Sequence, residues 1–280
     1  MAERFEHAIH VVEGQRYLLG NGPDMISRRL RSGQVWEAET LKLAQHVLRG
    51  IDHPVIVDVG ANLGAFAVPV GLHVLPVHGR VYAFEAQRQV YYQLCANLLI
   101  NGLVDCHAMN LAVGAVNGQI DVPVLDLARE RNAGALTLST EVRTLLKTLK
   151  TSESGLSATT LTDRFEPVPL KPLDDLHLPP AHLLKIDVEG MELDVLQGAS
   201  NWLQSSGYPP LLLEVWNTAA YAGEREKLLD HVRTALGYED LFMRGELCLA
   251  QHPQNRRLRF DPLAEGGFRI VHLADPPGKG

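Results

Sequence analysis

The chain has 280 residues, of which 46% are hydrophobic, so it can bury a large core in one elaborate domain or two small ones. Its formal net charge is −7 and it has no long run of lysine and arginine, which argues against nucleic acid as a partner, because phosphate binding requires a basic face. The three cysteines form no Cys-x-x-Cys pair, and no stretch has the apolar length of a signal core or a membrane span, so we expect a reduced cytoplasmic protein that contacts no membrane.

The first 50 residues are predicted to form an N-terminal helical cap. Within residues 40–50 the apolar side chains recur at helical spacing, and Gly50 is a suitable C-terminal stop. The residues that share this face are Leu43, Ala44, Val47 and Leu48.

A buried strand and a glycine loop follow the cap. Residues 54–59 are apolar up to Asp58, as in a parallel strand that is covered on both faces. The loop Gly-Ala-Asn-Leu-Gly then leads into a helix-like segment, and a second strand ends at Glu85. The pattern continues with a helix at 89–103 and a third strand at 105–114. The apolar stripe predicted for that helix consists of Val90, Tyr91, Leu94, Cys95, Leu98 and Leu99.

The regular alternation pauses after the third strand and then resumes. Residues 127–182 combine short strand-like pieces, a polar stretch and an amphipathic segment at 140–150, so we interpret them as an insertion beside the active site, with the character of a lid. Further elements are predicted as a strand at 182–190, a helix at 191–203, a strand at 209–217, a helix at 224–238 and a hairpin at 239–251. Alternating strands and helices predict an open, mostly parallel sheet.

These elements are interpreted as one domain spanning residues 1–280. Its parts are the cap at 1–50, a Rossmann-like core at 53–126 and 183–251, the insertion at 127–182 and a C-terminal tail at 252–280.

The glycine loop does not have the spacing of a dinucleotide site. Gly60 and Gly64 are separated by Ala-Asn-Leu, whereas pyrophosphate binding requires G-x-G-x-x-G, and the lysine of a phosphate-binding P-loop is also absent. Asp58 would repel a phosphate but would suit a ligand that carries an ammonium and a sulfonium, such as S-adenosylmethionine. Glu85, at the end of the next strand, is placed to accept hydrogen bonds from ribose hydroxyls.

Four blocks together resemble the FkbM-type methyltransferases, a family of class I S-adenosylmethionine-dependent enzymes. They read DVGANLG, YAFEAQ, NLAVG and LLKIDVEGMELDVLQGA, and the similarity extends over residues 36–237. The resemblance implies an α/β fold with a seven-stranded, mostly parallel sheet that has one reversed strand and helices on both faces. It also implies methyl transfer, commonly to oxygen. Family members more often have proline where this chain has Ala86, a departure that touches loop stiffness rather than the cofactor.

The resemblance and the ends of the predicted strands together define the candidate site. Asp187 is the first choice for a base or acceptor-orienting group, because ligands of open α/β sheets lie beyond the carboxyl ends of the strands. The further candidates are Glu189 and Glu214 for catalysis; Asp58, Gly60, Ala61, Asn62, Gly64, Glu85, Ala86, Asn110, Ala112 and Asp187 for cofactor binding; and Trp36, Glu37, Trp216 and Asn217 for substrate binding.

Several alternatives stay open at this level. Glu189 and Glu192 could serve only to match the charge of a helix N-terminus. Oxygen ligands from Asp187, Glu214 and Asn217 could bind a divalent cation, although their spacing is not diagnostic and no metal is assigned. The expected partner is a small molecule with a hydroxyl group, and a homodimer is compatible with the sequence. A regulatory protein that binds S-adenosylmethionine without catalysis and, less favoured, an NAD-dependent oxidoreductase are the competing functions.

Overall fold

The structure is a computed structural model that describes residues 5–129, 164–217, 221–263 and 265–273. Its N-terminal part contains a β-hairpin, which the sequence analysis did not anticipate, followed by two helices. The Glu13-Gly14 turn of the hairpin has φ values of 48° and 84°, as in the two-residue turns that favour glycine. These elements are β1 (His7–Val12), β2 (Gln15–Gly20), α1 (Met25–Arg31) and α2 (Ala38–Leu48). The predicted apolar face of α2 is buried.

The remaining strands and helices follow in chain order. The strands are β3 (Val55–Val59), β4 (Arg80–Phe84), β5 (His107–Met109), β6 (Ala112–Val113), β7 (Gly118–Pro123), β8 (Phe165–Lys171), β9 (Leu183–Ile186), β10 (Leu211–Glu214), β11 (Asp240–Arg244), β12 (Leu247–Gln251), β13 (Leu258–Pro262) and β14 (Phe268–His272). The helices are α3 (Ala67–Val74), α4 (Arg88–Ile100), α5 (Glu192–Gln197), α6 (Ser200–Ser205) and α7 (Ala222–Asp230), the last continuing as a π-helical turn over His231–Ala235.

A seven-stranded sheet forms the centre of the fold. Its order is β11-β12-β10-β9-β3-β4-β5. β12 runs in the direction opposite to the other six strands. This confirms the predicted sheet with one reversed strand. Successive strand residues face opposite sides, so that Ile56 packs in one core with α1–α4 and Val57 in a second core with α5–α7. Helices therefore cover both faces, which explains why β3 and β9 are almost entirely apolar.

Two predicted helices differ in detail from those observed. The apolar stripe on α4 is rotated, because Leu99 is 69% exposed whereas Asn97 is fully buried. The predicted helix at 191–203 is divided into α5 and α6 at Gly198. A Cβ atom at Gly198 would lie 2.1 Å from the carbonyl oxygen of Gly114, so the backbones meet too closely there for any side chain.

The described residues of the insertion and the tail include strands. The predicted third strand is divided, since β5 joins the main sheet while β6 pairs with β8 in a separate sheet of order β6-β8-β7. β8 lies inside the predicted insertion and is thereby tied to the core. The predicted pieces at 134–139 and 140–150 lie outside the described residues. In the tail, β13 and β14 form a hairpin whose Phe260 ring stacks on Phe242 at 3.8 Å. None of the helices in the described ranges has both the length and the apolarity needed to cross a membrane.

Candidate active site

The strand register places the predicted acidic side chains at one edge of the sheet. Val59 pairs with Phe84 on one side and with Ile186 on the other, and Ile186 pairs with Leu213. Glu85, Asp187 and Glu214 are the residues that end or directly follow these parallel strands. The carboxyl ends of β4, β9 and β10 therefore present three carboxyl groups along the same edge of the sheet, as the alternation of strands and helices predicts.

The backbone N–H groups of the glycine loop are all used within the protein. Gly60 and Ala61 donate to the carbonyl oxygen of Phe84, and Gly64 donates to that of Ala61. Asn62 N–H donates to Glu85 Oε2 at 2.8 Å, and Leu63 N–H donates to Asn62 Oδ1 at 2.7 Å. Because residues 60–64 keep no free N–H group, this loop offers no cradle for a pyrophosphate, which argues against a dinucleotide.

The conformation of Gly60 is explained by chain packing. Its φ is 83°, and a Cβ atom there would lie 1.8 Å from the carbonyl oxygen of Asp187. The loop after β3 thus passes directly against the backbone that leaves β9. This contact requires glycine whether or not a ligand approaches the loop.

Both carboxylate oxygens of Glu85 are held by backbone N–H groups. Its side chain is buried; Oε2 accepts the Asn62 N–H group and Oε1 accepts the Gln87 N–H group at 2.7 Å. Burial raises the pKa of Glu85 to about 7, although the two N–H donors oppose the shift. The Asn110 side chain stabilises this segment by donating to the carbonyl oxygens of Glu85 and Ala86 at 2.8 and 3.0 Å. Ala112 is buried in β6, in the small core against which Ala86 packs.

A buried lysine lies between two of the candidate acids. Lys185 Nζ is 3.5 Å from Asp58 Oδ1 and 3.1 Å from Asp187 Oδ2. The Asp58 side chain is fully buried, and neither of its oxygens has a hydrogen-bond partner among the described residues. Burial raises the pKa of Asp58, an effect that the lysine opposes. Burial alone would lower the pKa of Lys185, but Asp187 and Asp58 together raise it above its ordinary value.

Asp187, Glu189 and Glu214 form an acidic cluster. One carboxylate oxygen of each lies within 4.8 Å of the other two. Glu189 reaches the cluster because the turn after β9 has a left-handed residue there, with φ of 55°. Burial, reinforced by the neighbouring carboxylates, raises the pKa of Glu189 well above its ordinary value and that of Glu214 to about 11.

Glu192 forms hydrogen bonds to the backbone of the turn that precedes α5. Its carboxylate accepts the N–H groups of Val188 and Gly190 at 3.0 and 3.1 Å and so closes the turn that carries Glu189. Burial raises the pKa of Glu192 to about 7. The side chain is turned toward the backbone of this turn.

A cavity of about 180 Å³ lies in front of the cluster, between α2, β9 and β10. Its polar lining includes the predicted Glu37, Asp187 and Glu214, and also Thr40 and Glu246, which the sequence analysis missed. Glu37 has φ of 45° and accepts a hydrogen bond from Trp36 Nε1 at 3.0 Å. Burial raises the pKa of Glu37, with a further contribution from Asp187. Glu246 lies between the strands of the β11–β12 hairpin, and only the position of that hairpin beside β10 could have indicated it.

Of the predicted substrate residues, Trp216 lines a smaller pocket of about 40 Å³, whereas Asn217 does not line it. Trp216 donates from Nε1 to Glu214 Oε2 at 3.1 Å, and its ring lies 4.4 Å from that of Tyr221. Asn217 points elsewhere, since its Oδ1 accepts a hydrogen bond from Arg225 at 2.7 Å. Tyr221, which the sequence analysis did not select, lines this pocket together with Glu214 and Trp216.

The sheet and its edge define a class of protein. A seven-stranded sheet with one reversed strand, a glycine loop after its first parallel strand and an acidic residue after the second make up the Rossmann-like fold of class I methyltransferases. The model of the methyltransferase FkbM domain matches residues 58–240, and the chain belongs to this family. The match spans the glycine loop, Glu85 and the whole acidic cluster.

Solved structures with the same general architecture show distant likeness. Methyltransferase FkbM from Methylobacillus flagellatus is 15% identical, with 81% of this chain and 60% of that chain covered and a TM-score of 0.44. A SAM-dependent O-methyltransferase from Thermotoga maritima is 12% identical, with coverages of 96% and 74% and a TM-score of 0.45. A precorrin-6y C5,15-methyltransferase from Geobacter metallireducens is 14% identical, with coverages of 84% and 83% and a TM-score of 0.42. The chain thus spans 60% of the length of the Methylobacillus protein. Comparison with curated proteins gave no match. The family assignment rests on the family match.

Proposed function

We propose that this protein transfers a methyl group from S-adenosylmethionine to a hydroxyl group of a small molecule of the sugar or natural-product type. The observation that carries the proposal is the pairing of a glycine loop without free N–H groups with a buried carboxylate, Glu85, at the end of the next strand. Such a loop disfavours a pyrophosphate, whereas a carboxylate at that position suits ribose hydroxyls. When bound, S-adenosylmethionine supplies a methyl carbon that is already activated by the sulfonium.

The residues at the edge of the sheet fit this methyl donor. Each oxygen of Glu85 accepts one backbone N–H group and keeps one lone pair, so the carboxylate can accept two further hydrogen bonds from a ribose. Asn110 fixes the carbonyl groups of that loop and so sets the direction of the carboxylate. The loop from Asp58 to Gly64 would border the methionine part of S-adenosylmethionine. Lys185 partly balances the negative charge of Asp58.

The cavity in front of β9 and β10 fits a hydroxyl acceptor. Its carboxyl groups accept hydrogen bonds, which a hydroxyl group donates, and Thr40 adds a hydroxyl of its own. Asp187 is assigned as the group that orients the acceptor and takes its proton, because it lies at the carboxyl end of the central strands and is 24% exposed. Lys185 holds one oxygen of this carboxylate, and the other oxygen is not held by the lysine. Ile186, Leu213 and Leu247 provide apolar walls. Trp36 contacts the cavity only through its hydrogen bond to Glu37, and Trp216 lies in the smaller pocket beyond Glu214.

Calorimetry with S-adenosylmethionine, its demethylated product and NAD tests the cofactor. We expect the first two to bind and NAD not to bind. Glu85→Ala should weaken cofactor binding at least tenfold, since a hydrogen bond to a charged group contributes about 1.5–3 kcal/mol, while Glu226→Ala, at an exposed position of α7, should not. Because Glu85 also holds the glycine loop, some loss of thermal stability is expected with the first variant. Unchanged cofactor affinity in Glu85→Ala would refute the ribose assignment.

Single-turnover transfer from labelled S-adenosylmethionine to a panel of hydroxyl compounds tests the reaction. Asp187→Asn should keep cofactor affinity and slow transfer by about a hundredfold to ten-thousandfold, the usual range for loss of a general base. A variant that turns over at the rate of the parent would remove Asp187 from the reaction.

A further inference from the structure

The acidic cluster has the geometry of a binding site for a hard cation. The three oxygens of Asp187, Glu189 and Glu214 lie within 4.8 Å of one another. A cation that holds oxygen ligands at about 2.1–2.5 Å keeps them no more than about 4–5 Å apart, so one ion can contact all three. We propose that Asp187, Glu189 and Glu214 bind a divalent cation of the Mg²⁺ or Mn²⁺ class.

A buried hydroxyl group beside the cluster supports this site independently. Tyr221 is 1% exposed, and its hydroxyl has no hydrogen-bond partner among the described residues. It lines the small pocket that Glu214 also lines. Burial raises the pKa of Tyr221, and the charge of Glu189 adds to this shift. Leaving a buried hydroxyl without a partner is unfavourable, so a polar partner is expected there. A water molecule on a cation held by Glu189 and Glu214 would satisfy it.

The protein's own cations do not neutralise this cluster. Lys185 is engaged with Asp58 and with one oxygen of Asp187. No described lysine or arginine forms an ion pair with Glu189 or Glu214. Carboxylates that are largely removed from water normally have a counter-charge, and a divalent ion supplies it for two of them at once.

Other arrangements of ligands fit less well. Asn217, considered as a ligand from the sequence, has its side-chain oxygen on Arg225. Glu192 has its carboxylate on the backbone of the turn. Each of the three cluster residues therefore comes from a different position at the sheet edge: the end of β9, the turn after it and the end of β10.

The inference deepens the proposed function and rests on it for the role of the ion. A cation at this place would border the acceptor cavity, which Asp187 and Glu214 line, and it could hold the acceptor oxygen and lower the pKa of its hydroxyl group. Binding of the ion itself requires neither the methyl donor nor the acceptor, so it can be tested separately.

The test is binding of Mn²⁺ alone to the chelator-treated full chain, followed by electron paramagnetic resonance and calorimetry. We expect one Mn²⁺ per chain, and a loss of affinity of at least tenfold in both Glu189→Gln and Glu214→Gln. The matched control is Glu226→Gln, which removes an exposed carboxylate of α7 and should leave the affinity unchanged. Circular dichroism and thermal unfolding confirm that the variants are folded; glutamine preserves the shape of each side chain.

The possible outcomes separate the two proposals. A parent chain that does not bind Mn²⁺, or variants that bind it as tightly as the parent, would overturn the cation site whatever the cofactor titrations give. Binding that is lost in both variants supports the site even if S-adenosylmethionine fails to bind, a result that would instead overturn the proposed function.

Discussion

Replacing Lys185 with methionine tests whether the buried charges at the sheet edge depend on one another. The methionine side chain fills similar space but removes the only cation within ion-pair distance of Asp58 among the described residues. Asp58 is fully buried and its two oxygens accept no hydrogen bond from a described residue. The variant therefore leaves an uncompensated carboxylate in the core, whereas Asp187 keeps access to solvent.

The cost can be bounded in two ways. Breaking a buried ion pair by removing one partner typically costs about 3–5 kcal/mol. Asp58 can instead take up a proton, which at pH 7 costs about 4 kcal/mol, since its reference pKa is about 3.9 and each unit corresponds to about 1.4 kcal/mol. Both routes give a loss near 4 kcal/mol, a large part of the 5–15 kcal/mol by which a typical domain is stable.

Urea unfolding of Lys185→Met between pH 5 and pH 8 measures this loss. Burial raises the pKa of Asp58 even in the parent, and loss of the lysine raises it further. A carboxyl group with a raised folded pKa contributes stability that is fully present below its unfolded pKa and is lost as the pH rises. The gap between parent and variant should thus widen toward pH 8 and narrow toward pH 5.

The double variant Asp58→Asn, Lys185→Met is the control for this interpretation. It removes both charges, so it should be more stable than Lys185→Met alone at pH 8 and should not show the same dependence on pH. Equal stability of parent and Lys185→Met at pH 7, or a gap that does not change with pH, would refute the dependence of Asp58 on Lys185.

Two further predictions concern packing and the tail. Gly60→Ala should lower thermal stability far more than Gly102→Ala, because the new Cβ atom at position 60 would lie 1.8 Å from the Asp187 carbonyl oxygen. Gly102 has a similar positive φ but open space around it, so this control should cost about 1–2 kcal/mol. Similar losses for both variants would contradict the close approach at Gly60. His46 Nδ1 and His272 Nε2 lie 3.0 Å apart, and burial with nearby positive charge lowers the pKa of both rings, so their contribution is present above about pH 6.5 and is lost as the pH falls. Hydrogen exchange in the β13–β14 hairpin should accelerate from pH 7 to pH 5 relative to solvent-exposed amides in the parent and much less in His46→Gln; the same acceleration in both would remove the histidine pair from this role.

The central sheet could be predicted because its signal is local. β3, β9 and β10 are apolar apart from one charged residue each, and such strands are typical of parallel strands covered on both faces. The position of Glu85, Asp187 and Glu214 follows from topology alone, since the carboxyl ends of parallel strands share one edge.

The elements that sequence reasoning missed depend on contacts between distant parts of the chain. In the hairpin β1–β2, Ile9 and Val11 are exposed whereas Tyr17 and Leu19 are buried, so apolar residues of β1 do not mark its buried face. The Glu-Gly turn was a usable signal. Asn97 is polar but fully buried, because it accepts the N–H group of Leu18 at 2.6 Å and donates to the carbonyl oxygen of Leu63 at 2.7 Å. It links the hairpin to the glycine loop, a role that helical periodicity does not reveal.

The cluster itself shows the same limit at the level of side chains. Sequence spacing grouped Asp187 and Glu214 correctly as neighbours at strand ends. The third member depended on rotations that spacing does not determine: a left-handed turn brings Glu189 inward, while Asn217 turns to Arg225. A pattern of residue types can therefore select the strand ends that form a site, but the turns after those strands decide which side chains meet there.

The blocks DVGANLG and KIDVEG are two parts of one structure. Asp58 pairs in register with Lys185 across β3 and β9, and the lysine side chain forms an ion pair with the aspartate. One step further, the Asp187 N–H group donates to the Val59 carbonyl oxygen at 3.0 Å, and the Asp187 carbonyl oxygen occupies the space where Gly60 would have a side chain. The KIDVEG block thus supplies Lys185 as the counter-charge for the buried Asp58 carboxylate. The DVGANLG block supplies Gly60, which leaves room for the backbone of Asp187. Substitutions at Gly60 and Lys185 should therefore disturb the position of Asp187 even though neither residue needs to touch the acceptor.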